Sequence, residues 1–326
     1  MGDVSADSIT IEMLREARGT VRCSPLDVIN TPMIPWSQTT LPLNSSCNIH
    51  IKLENMQRTG SFKIRGVANQ FARRLKGGYF VTISAGNYGK SFAYACKHYG
   101  SKGKVVMPET APISRSVLIQ SLGVEVERAP TPRLMDVVNR SVQEHSMTFL
   151  HPFDDPDLIA GHASLGFEIL EVVPYPDVVV VCCGGGGLLA GVAAAIKLSG
   201  CENTKIYGVE PEGGEYSNSF CTFTEVFIIT LHYLCFLKLV YWDSPSGSLP
   251  YELCQKYVEN IALVTDEEIK SAVSILYRAG LVVEPSGTAA FAAVTNNKIP
   301  DINGKNVVVI LSGGNIGKDE LSNFPD

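Results

Sequence analysis

The chain's capacity for chemistry lies in one lysine, two polar turns and a run of four glycines. Lys63 stands in Thr59-Gly60-Ser61-Phe62-Lys63-Ile64-Arg65-Gly66, where Ser61 is placed to cap a helix and the lysine falls in its first turn. Cations are electrostatically disfavoured at that end of a helix. A lysine there either snorkels to water or is put to use. Held out of water, its pKa falls and it becomes a usable amine nucleophile. Farther on, an apolar run ending in Cys182-Cys183 meets Gly184-Gly185-Gly186-Gly187, and Leu188 opens a good helical sequence. With no Cβ in the way, successive N–H groups can converge on an anion at the helix N-terminus, which makes a phosphate cradle. Gly185-x-Gly187-x-x-Ala190 also satisfies a dinucleotide fingerprint, with Glu210 about 20 residues on as a ribose-binding acid. Both phosphate readings stay open at this point. Ser84-Ala85-Gly86-Asn87-Tyr88-Gly89 offers small residues, an amide and exposed N–H groups, a clamp for a carboxylate or ring hydroxyl. Ser312-Gly313-Gly314-Asn315 repeats the pattern of a hydroxyl and glycines after an apolar run. An ordinary turn is the alternative for each of these two.

Strands and helices must alternate to present such turns. Ile49–Leu53, Tyr79–Ile83, Lys104–Met107, Val124–Arg128, Val178–Cys183, Lys205–Val209 and Val307–Leu311 read as strands. Between and after them the 3.6-residue period predicts helices over Lys63–Leu75, Gly89–His98, Ser114–Leu122, Arg133–His145, Ile159–Val172, Gly187–Leu198, Asp266–Arg278 and Gly287–Thr295. Val178 to Val181 and Val307 to Ile310 are apolar at every position, as strands buried on both faces of a parallel sheet are. The alternation argues for an α/β fold with open, mainly parallel, helix-flanked sheets. In such sheets ligands bind at the carboxyl ends of the strands, where all four turns fall.

At 326 residues about two domains are expected. A net charge of −6 without Lys/Arg runs makes nucleic acid an unsuitable main partner. Nine cysteines without a C-x-x-C or a zinc-type cluster read as free thiols of a reducing compartment. The N-terminus has no basic stretch followed by an apolar one, so no secretory signal is expected and the cytoplasm is the expected location.

Taken together, in order and spacing, the Ser-Phe-Lys, Ser-Ala-Gly-Asn, four-glycine and Ser-Gly-Gly-Asn turns resemble the fold-type-II pyridoxal-phosphate enzymes, nearest the threonine/serine dehydratases (ammonia-lyases) and serine racemase. The likeness covers about Thr31 to Ser219 and Ser246 to Ser322, and includes His151-Pro152-Phe153, Ser164 to Glu168, Gly208 to Pro211 and Val283 to Gly287. It implies that Lys63 carries pyridoxal 5'-phosphate as an internal Schiff base and serves as base at the substrate Cα. It also implies that Phe62 packs beside the ring, Asn87 meets its 3'-oxygen, Gly184 to Gly187 with Leu188 hold the phosphate, and Ser312 meets the pyridine nitrogen. Ser84, Ala85 and Asn87 lie where the family grips the substrate carboxylate. The implied reaction is β-elimination of a hydroxy amino acid, L-threonine or L-serine, to a 2-oxo acid and ammonia. Racemases of the family carry a second serine where this chain has Ala85, and alanine has no exchangeable proton, so a dehydratase is preferred over a racemase. The alternatives are a serine racemase, a catalytically impaired relative and, more distantly, an NAD-dependent dehydrogenase.

Three departures accompany the resemblance. Tyr88 replaces the histidine usual in its turn, which bears on substrate choice. Glu210 and Gly214 match two ligands of a Mg²⁺ or Ca²⁺ site of racemase-like relatives, but Tyr216 takes an aspartate's place. Residues 220–242 are 17 parts in 23 hydrophobic where relatives have a polar helix, and they account for nearly all of the positive mean hydropathy of +0.11. Glu225, His232 and Lys238 within them argue against a membrane span. The resemblance also implies a homodimer, with residues 1–77 plus 156–326 as a large domain and 78–155 as a smaller one that gates the substrate.

Overall fold

The computed structural model describes residues 5–42, 47–212, 249–321 and 324. Its elements alternate much as the sequence predicts. Helix α1 (Ile11–Arg22) precedes β1 (Met33–Pro35) and β2 (Asn48–Leu53), and α2 (Lys63–Ala72) follows. Next come β3 (Tyr79–Ile83), α3 (Asn87–Tyr99), β4 (Lys102–Pro108), α4 (Ile113–Ser121), β5 (Glu125–Ala129), α5 (Leu134–His145) and β6 (Thr148–Phe149). The chain continues with α6 (Pro156–Val172), β7 (Val178–Cys182), α7 (Gly187–Leu198) and β8 (Lys205–Pro211). The last described part holds α8 (Leu249–Tyr257), β9 (Asn260–Val264), α9 (Asp266–Arg278), α10 (Pro285–Thr295), β10 (Asn306–Leu311) and α11 (Lys318–Leu321).

Two sheets result. The larger has the order β1-β2-β10-β7-β8-β9, parallel except for β1; the smaller has the order β5-β4-β3-β6 and is parallel throughout. Strand β7 is buried at all five positions because helices cover both faces of its sheet. Val179 and Val181 pack towards α6, α7 and α8; Val178 and Val180 pack towards α9 and α10. In the smaller sheet Phe80, Val105 and Met107 meet α3, while Val81, Ile83 and Val106 meet α5. The uninterrupted Val/Ile runs are thus the sequence signature of double burial.

Helix α6 ties the larger sheet's helices together. Asp155 caps it, accepting from the Leu158 N–H at 2.9 Å, with Pro156 at the first helical position. A Cβ on Gly161 would sit 2.6 Å from the Arg65 carbonyl of α2, and one on Gly191 of α7 would sit 2.6 Å from the Ile159 carbonyl. Gly66 of α2 lies equally tight against the His162 ring. The three backbones approach closer than side chains allow, so the N-termini of α2 and α7 are fixed relative to each other. Among the described residues no helix is long and apolar enough to cross a membrane. Residues 220–242, Gly214 and Tyr216 lie outside the described residues.

Candidate active site

Lys63 is the first residue of α2, at the carboxyl end of β2. The predicted cap is displaced: Phe62, not Ser61, holds the N-cap position and no side chain caps the helix. Ser61 pairs instead with Gly313 in an isolated bridge, and the Phe62 N–H donates to the Ser312 carbonyl at 3.0 Å. The Ser61 hydroxyl makes no cap bond to the helix and, among the described residues, is buried without a hydrogen-bond partner. The Lys63 Nζ donates to the Pro152 carbonyl at 2.8 Å and lies 5.2 Å from the Phe62 ring centre and 5.7 Å from that of Tyr88. No carboxylate pairs with it among the described residues. Burial without a counter-charge lowers its pKa from 10.5 to about 8.

Two residues beyond, Arg65 anchors the helix from behind. It is fully buried, with Nε on Glu54 at 2.7 Å and Nη1 on Glu168 at 2.8 Å. Lys52 completes the cluster with Glu168 at 2.8 Å and the Thr31 carbonyl at 2.6 Å. Burial opposes the Arg65 charge, but Glu54 and Glu168 more than offset that and hold it protonated. Burial, and then the charges of Lys63 and Arg65, push the His162 pKa well down; among the described residues both of its ring nitrogens are unpaired, and its edge meets the Phe62 ring at 4.9 Å.

The turn Pro152-Phe153 connects the lysine to the glycines. Nδ1 of His151 accepts from the Asp154 N–H at 2.7 Å and so shapes the turn; burial, and then the nearby Lys63, push its pKa down to about 3. Phe153 lies directly against Gly185, and its carbonyl would be 3.0 Å from a Cβ on Gly187. Gly186 has φ +76°, a left-handed turn that favours glycine. Gly187 begins α7, followed by the buried Leu188, and the Ala190 N–H already bonds the Gly186 carbonyl at 2.8 Å. At Gly184 nothing among the described residues stands within 4 Å of where a Cβ would be, so its front is open to them. The first N–H groups of a helix have no intrahelical partner, and those at the start of α7 are what an anion requires.

The two remaining turns close the site. Ser84 Oγ accepts from the N–H groups of Gly89 at 2.9 Å and Gly86 at 3.2 Å, which shapes the start of α3. The Ala85 carbonyl accepts from Arg115 at 2.9 Å. Asn87 donates through Nδ2 to Glu284 and accepts through Oδ1 from Asn315 at 2.7 Å. Ser312 is buried, with its hydroxyl beside the Cys182 thiol. Tyr88 is turned inward: it is 2% exposed and its hydroxyl donates to Gln70 at 2.6 Å. This tyrosine therefore belongs to the packing of α2 against α3.

The structure thus brings together Phe62, Lys63, Ser84, Ala85, Asn87, Gly184 to Leu188 and Ser312. Glu210 stands apart. It is only 3% exposed and lies beside the Cys183 thiol, whose pKa rises through burial and then the Glu210 charge. So buried, it is not presented for a ribose as the dinucleotide reading needs. Among the described residues no three His, Cys, Asp or Glu side chains converge as metal ligands. Reading the sequence did not single out Pro152, Arg115, His162 or Glu284 as site residues; each acts through contacts far away in the chain.

Comparison with known proteins gives the same direction throughout. A family model described as pyridoxal-phosphate dependent enzyme matches residues 25–313. The L-threonine ammonia-lyase of Thermotoga maritima is 34% identical over 94% of this chain and 76% of its own length. A catabolic L-threonine dehydratase of Escherichia coli K12 is 36% identical over 84% of both chains. Among solved structures, maize serine racemase superposes with a TM-score of 0.80 at 26% identity, covering 96% of each chain. The processed threonine deaminase isoform 2 of Solanum lycopersicum gives 0.75 at 27% identity, over 96% of this chain and 87% of that one.

Proposed function

We propose, for a chain that belongs to the pyridoxal-phosphate dependent enzyme family, the activity of an ammonia-lyase that converts L-threonine or L-serine to a 2-oxo acid and ammonia. One observation carries the reading: a buried amine without an acidic partner among the described residues, Lys63, joined through Pro152-Phe153 to a four-glycine helix start. The residues fit the cofactor. The amine can bond its carbonyl carbon, the open front of Gly184 and the free N–H groups of α7 suit its phosphate, and Phe62 offers a ring face. Asn87 and Ser312 supply polar contacts for the rest of the ring. Bound there, pyridoxal phosphate withdraws electrons from the substrate's Cα and so makes its proton removable.

The remaining work falls to the chain. Lys63 Nζ, with a pKa near 8, is basic enough to take the Cα proton at neutral pH and acidic enough to return one to a leaving hydroxyl. The Pro152 carbonyl orients it. The N–H groups of the 84–89 turn that Ser84 Oγ does not take, that of Asn87 among them, bind the substrate carboxylate with the Ser84 hydroxyl; Ser84 already shapes the same turn, so the clamp is built before substrate arrives. Ala85 offers no proton carrier on the opposite face, so elimination is favoured over racemisation. Ser312 presents a neutral hydroxyl to the pyridine nitrogen, which leaves that nitrogen unprotonated and disfavours a long-lived carbanion. The smaller sheet's unit, residues 78–155, closes on the unit of 1–77 plus 156–326 when substrate binds. The proposal further includes a homodimer in the cytoplasm. A Mg²⁺ or Ca²⁺ ion on Glu210 is left out of it, because the described neighbours of Glu210 include the soft thiols of Cys183 and Cys254.

The test is the visible spectrum of the purified protein, with and without L-threonine and L-serine. A yellow protein that releases ammonia and a 2-oxo acid supports the reading, and Lys63→Ala abolishes the band. A colourless wild type refutes it. Colour without ammonia selects the impaired relative, and D-serine without matching pyruvate selects the racemase.

A further inference from the structure

A line of four hydrogen-bonding side chains crosses the site from α3 to the first residue before α10. Lys90 Nζ donates to Asn315 Oδ1 at 2.6 Å. Asn315 Nδ2 donates to the Thr59 carbonyl at 2.8 Å and to Asn87 Oδ1 at 2.7 Å. Asn87 Nδ2 donates to Glu284 Oε1. Every bond runs the same way, and the two ends cannot run otherwise. An ammonium can only donate and an ionised carboxylate can only accept, whereas each amide between them could be flipped. Lys90 and the Thr59 carbonyl fix Asn315; Asn315 and Glu284 then fix Asn87. The line is closely packed, since a Cβ on Gly313 would overlap Glu284 and lie 3.2 Å from Asn87 Nδ2, and one on Gly60 would overlap Asn315.

We infer that Lys90 and Glu284 are positioning residues that polarise this line, so that Asn87 presents an N–H of Nδ2, rather than its carbonyl oxygen, to the cofactor. The inference rests on the reading that Asn87 meets the 3'-oxygen of pyridoxal phosphate. That oxygen is an acceptor, so a flipped amide would set two acceptors against each other. A polarised amide thereby favours the bound cofactor without any charge of its own touching it. Neither Lys90 nor Glu284 needs to reach the cofactor.

Glu284 also makes the line responsive to pH. It is 8% exposed, and burial raises its pKa from 4.5 to about 7. Several groups face it. Asn87 and Lys90 of α3 and Arg115 of α4 favour its charge, while Glu320 of α11 opposes it. The Cys182 thiol of β7 also senses that charge. As pH falls through about 7 the carboxyl gains a proton and becomes a possible donor, and the end of the line loses its direction. Above pH 7 the direction is enforced.

Cofactor affinity and the Asn87 amide itself provide separate readouts. The full-length apoprotein is titrated with pyridoxal phosphate between pH 6 and 9. Wild type is expected to lose affinity as pH falls through 7. Glu284→Gln, which fills the same space but can donate or accept, should lack that step and bind about tenfold more weakly at pH 8. Lys90→Met should weaken binding similarly, and Lys90→Arg, again a donor only, should restore it to within about twofold. In parallel, the ¹⁵N side-chain amide signal of Asn87 is followed in the cofactor-free chain; it should shift with a midpoint near pH 7 in wild type and stay constant in Glu284→Gln. An unchanged step in Glu284→Gln, or Lys90→Met with wild-type affinity, overturns the inference. If Glu284→Gln does not fold, the Lys90 pair and the wild-type amide titration still decide it. A wild type that takes up no pyridoxal phosphate defeats the functional reading instead, and the Asn87 amide titration is unaffected by that failure.

Discussion

Replacing Lys63 with methionine in the apoprotein isolates the cost of burying an unpaired amine. The side chain keeps its length and loses its charge. In the unfolded chain the amine titrates at 10.5, whereas in the folded chain burial lowers this to about 8. Between those values the unfolded state binds more protons, so wild-type stability must rise with pH, by up to about 1.4 kcal/mol per pH unit. A folded pKa near 8 therefore gives a gain of about 1.3 kcal/mol between pH 7 and 9, and about 2.5 kcal/mol between pH 7 and 10, relative to Lys63→Met. Other titrating groups are common to both proteins and cancel in the difference. The lost hydrogen bond to Pro152 shifts the variant by a constant amount of about 1 kcal/mol and leaves the slope untouched. The assay is urea unfolding of both cofactor-free proteins at pH 7, 8, 9 and 10. A stability difference independent of pH would mean that Lys63 titrates normally, and the argument for an activated amine would fail with it.

Three other outcomes follow from particular contacts. Glu168→Gln leaves Arg65 and Lys52 sharing one fewer buried charge and should destabilise the fold by about 3–5 kcal/mol, read as a lowered urea midpoint. Gly161→Ala forces a methyl against the Arg65 carbonyl and should cost about 1–3 kcal/mol, with reduced cofactor occupancy because α2 is displaced; unchanged stability would refute the close approach of α6 and α2. Ala85→Ser restores an exchangeable proton beside Ser84 and should let D-serine accumulate from L-serine, measured by chiral chromatography, while β-elimination persists.

Where the sequence reading succeeds, the signal is local. Strand β3 and helices α7 and α9 have the predicted bounds, because an apolar run bounded by turn residues, or a helical period begun by a cap or glycine, is complete within one segment. The Thr265–Glu268 capping box opens α9 in the same self-contained way. Short or edge elements carry too little pattern: β1 spans three residues and contains Pro35, and β6 spans two. Helix α1 has only a narrow apolar stripe at Leu14, Ala17 and Val21 among charged neighbours, so it was not distinguished. Ser61 was misassigned because the competing partner, Gly313, lies about 250 residues on. Glu284 shows the same limit: a Glu-Pro-Ser-Gly tetrapeptide announces a helix start, but nothing near it announces Asn87, 197 residues earlier. The glycine turn and the lysine are legible because unusual residues stand together; the line of side chains is not, because each of its hydrogen bonds joins segments about 200 residues or more apart.

The strand order has a consequence for how the protein is made. Strand β10 is the next-to-last described element in sequence, yet it sits inside the larger sheet, with Val309 paired to Ile51 on one side and Val180 on the other. Synthesis runs from the N-terminus, so β2 and β7 emerge long before the strand that joins them. Until then the nascent chain exposes two unpaired parallel edges, that of β7 apolar throughout and that of β2 alternating Ile49, Ile51 and Leu53 with polar residues, and Phe62 lacks the Ser312 carbonyl that its N–H bonds. Ribosome-bound chains arrested before residue 306 should therefore contain the smaller sheet already closed while the facing edges of β2 and β7 stay unpaired and chaperone-accessible.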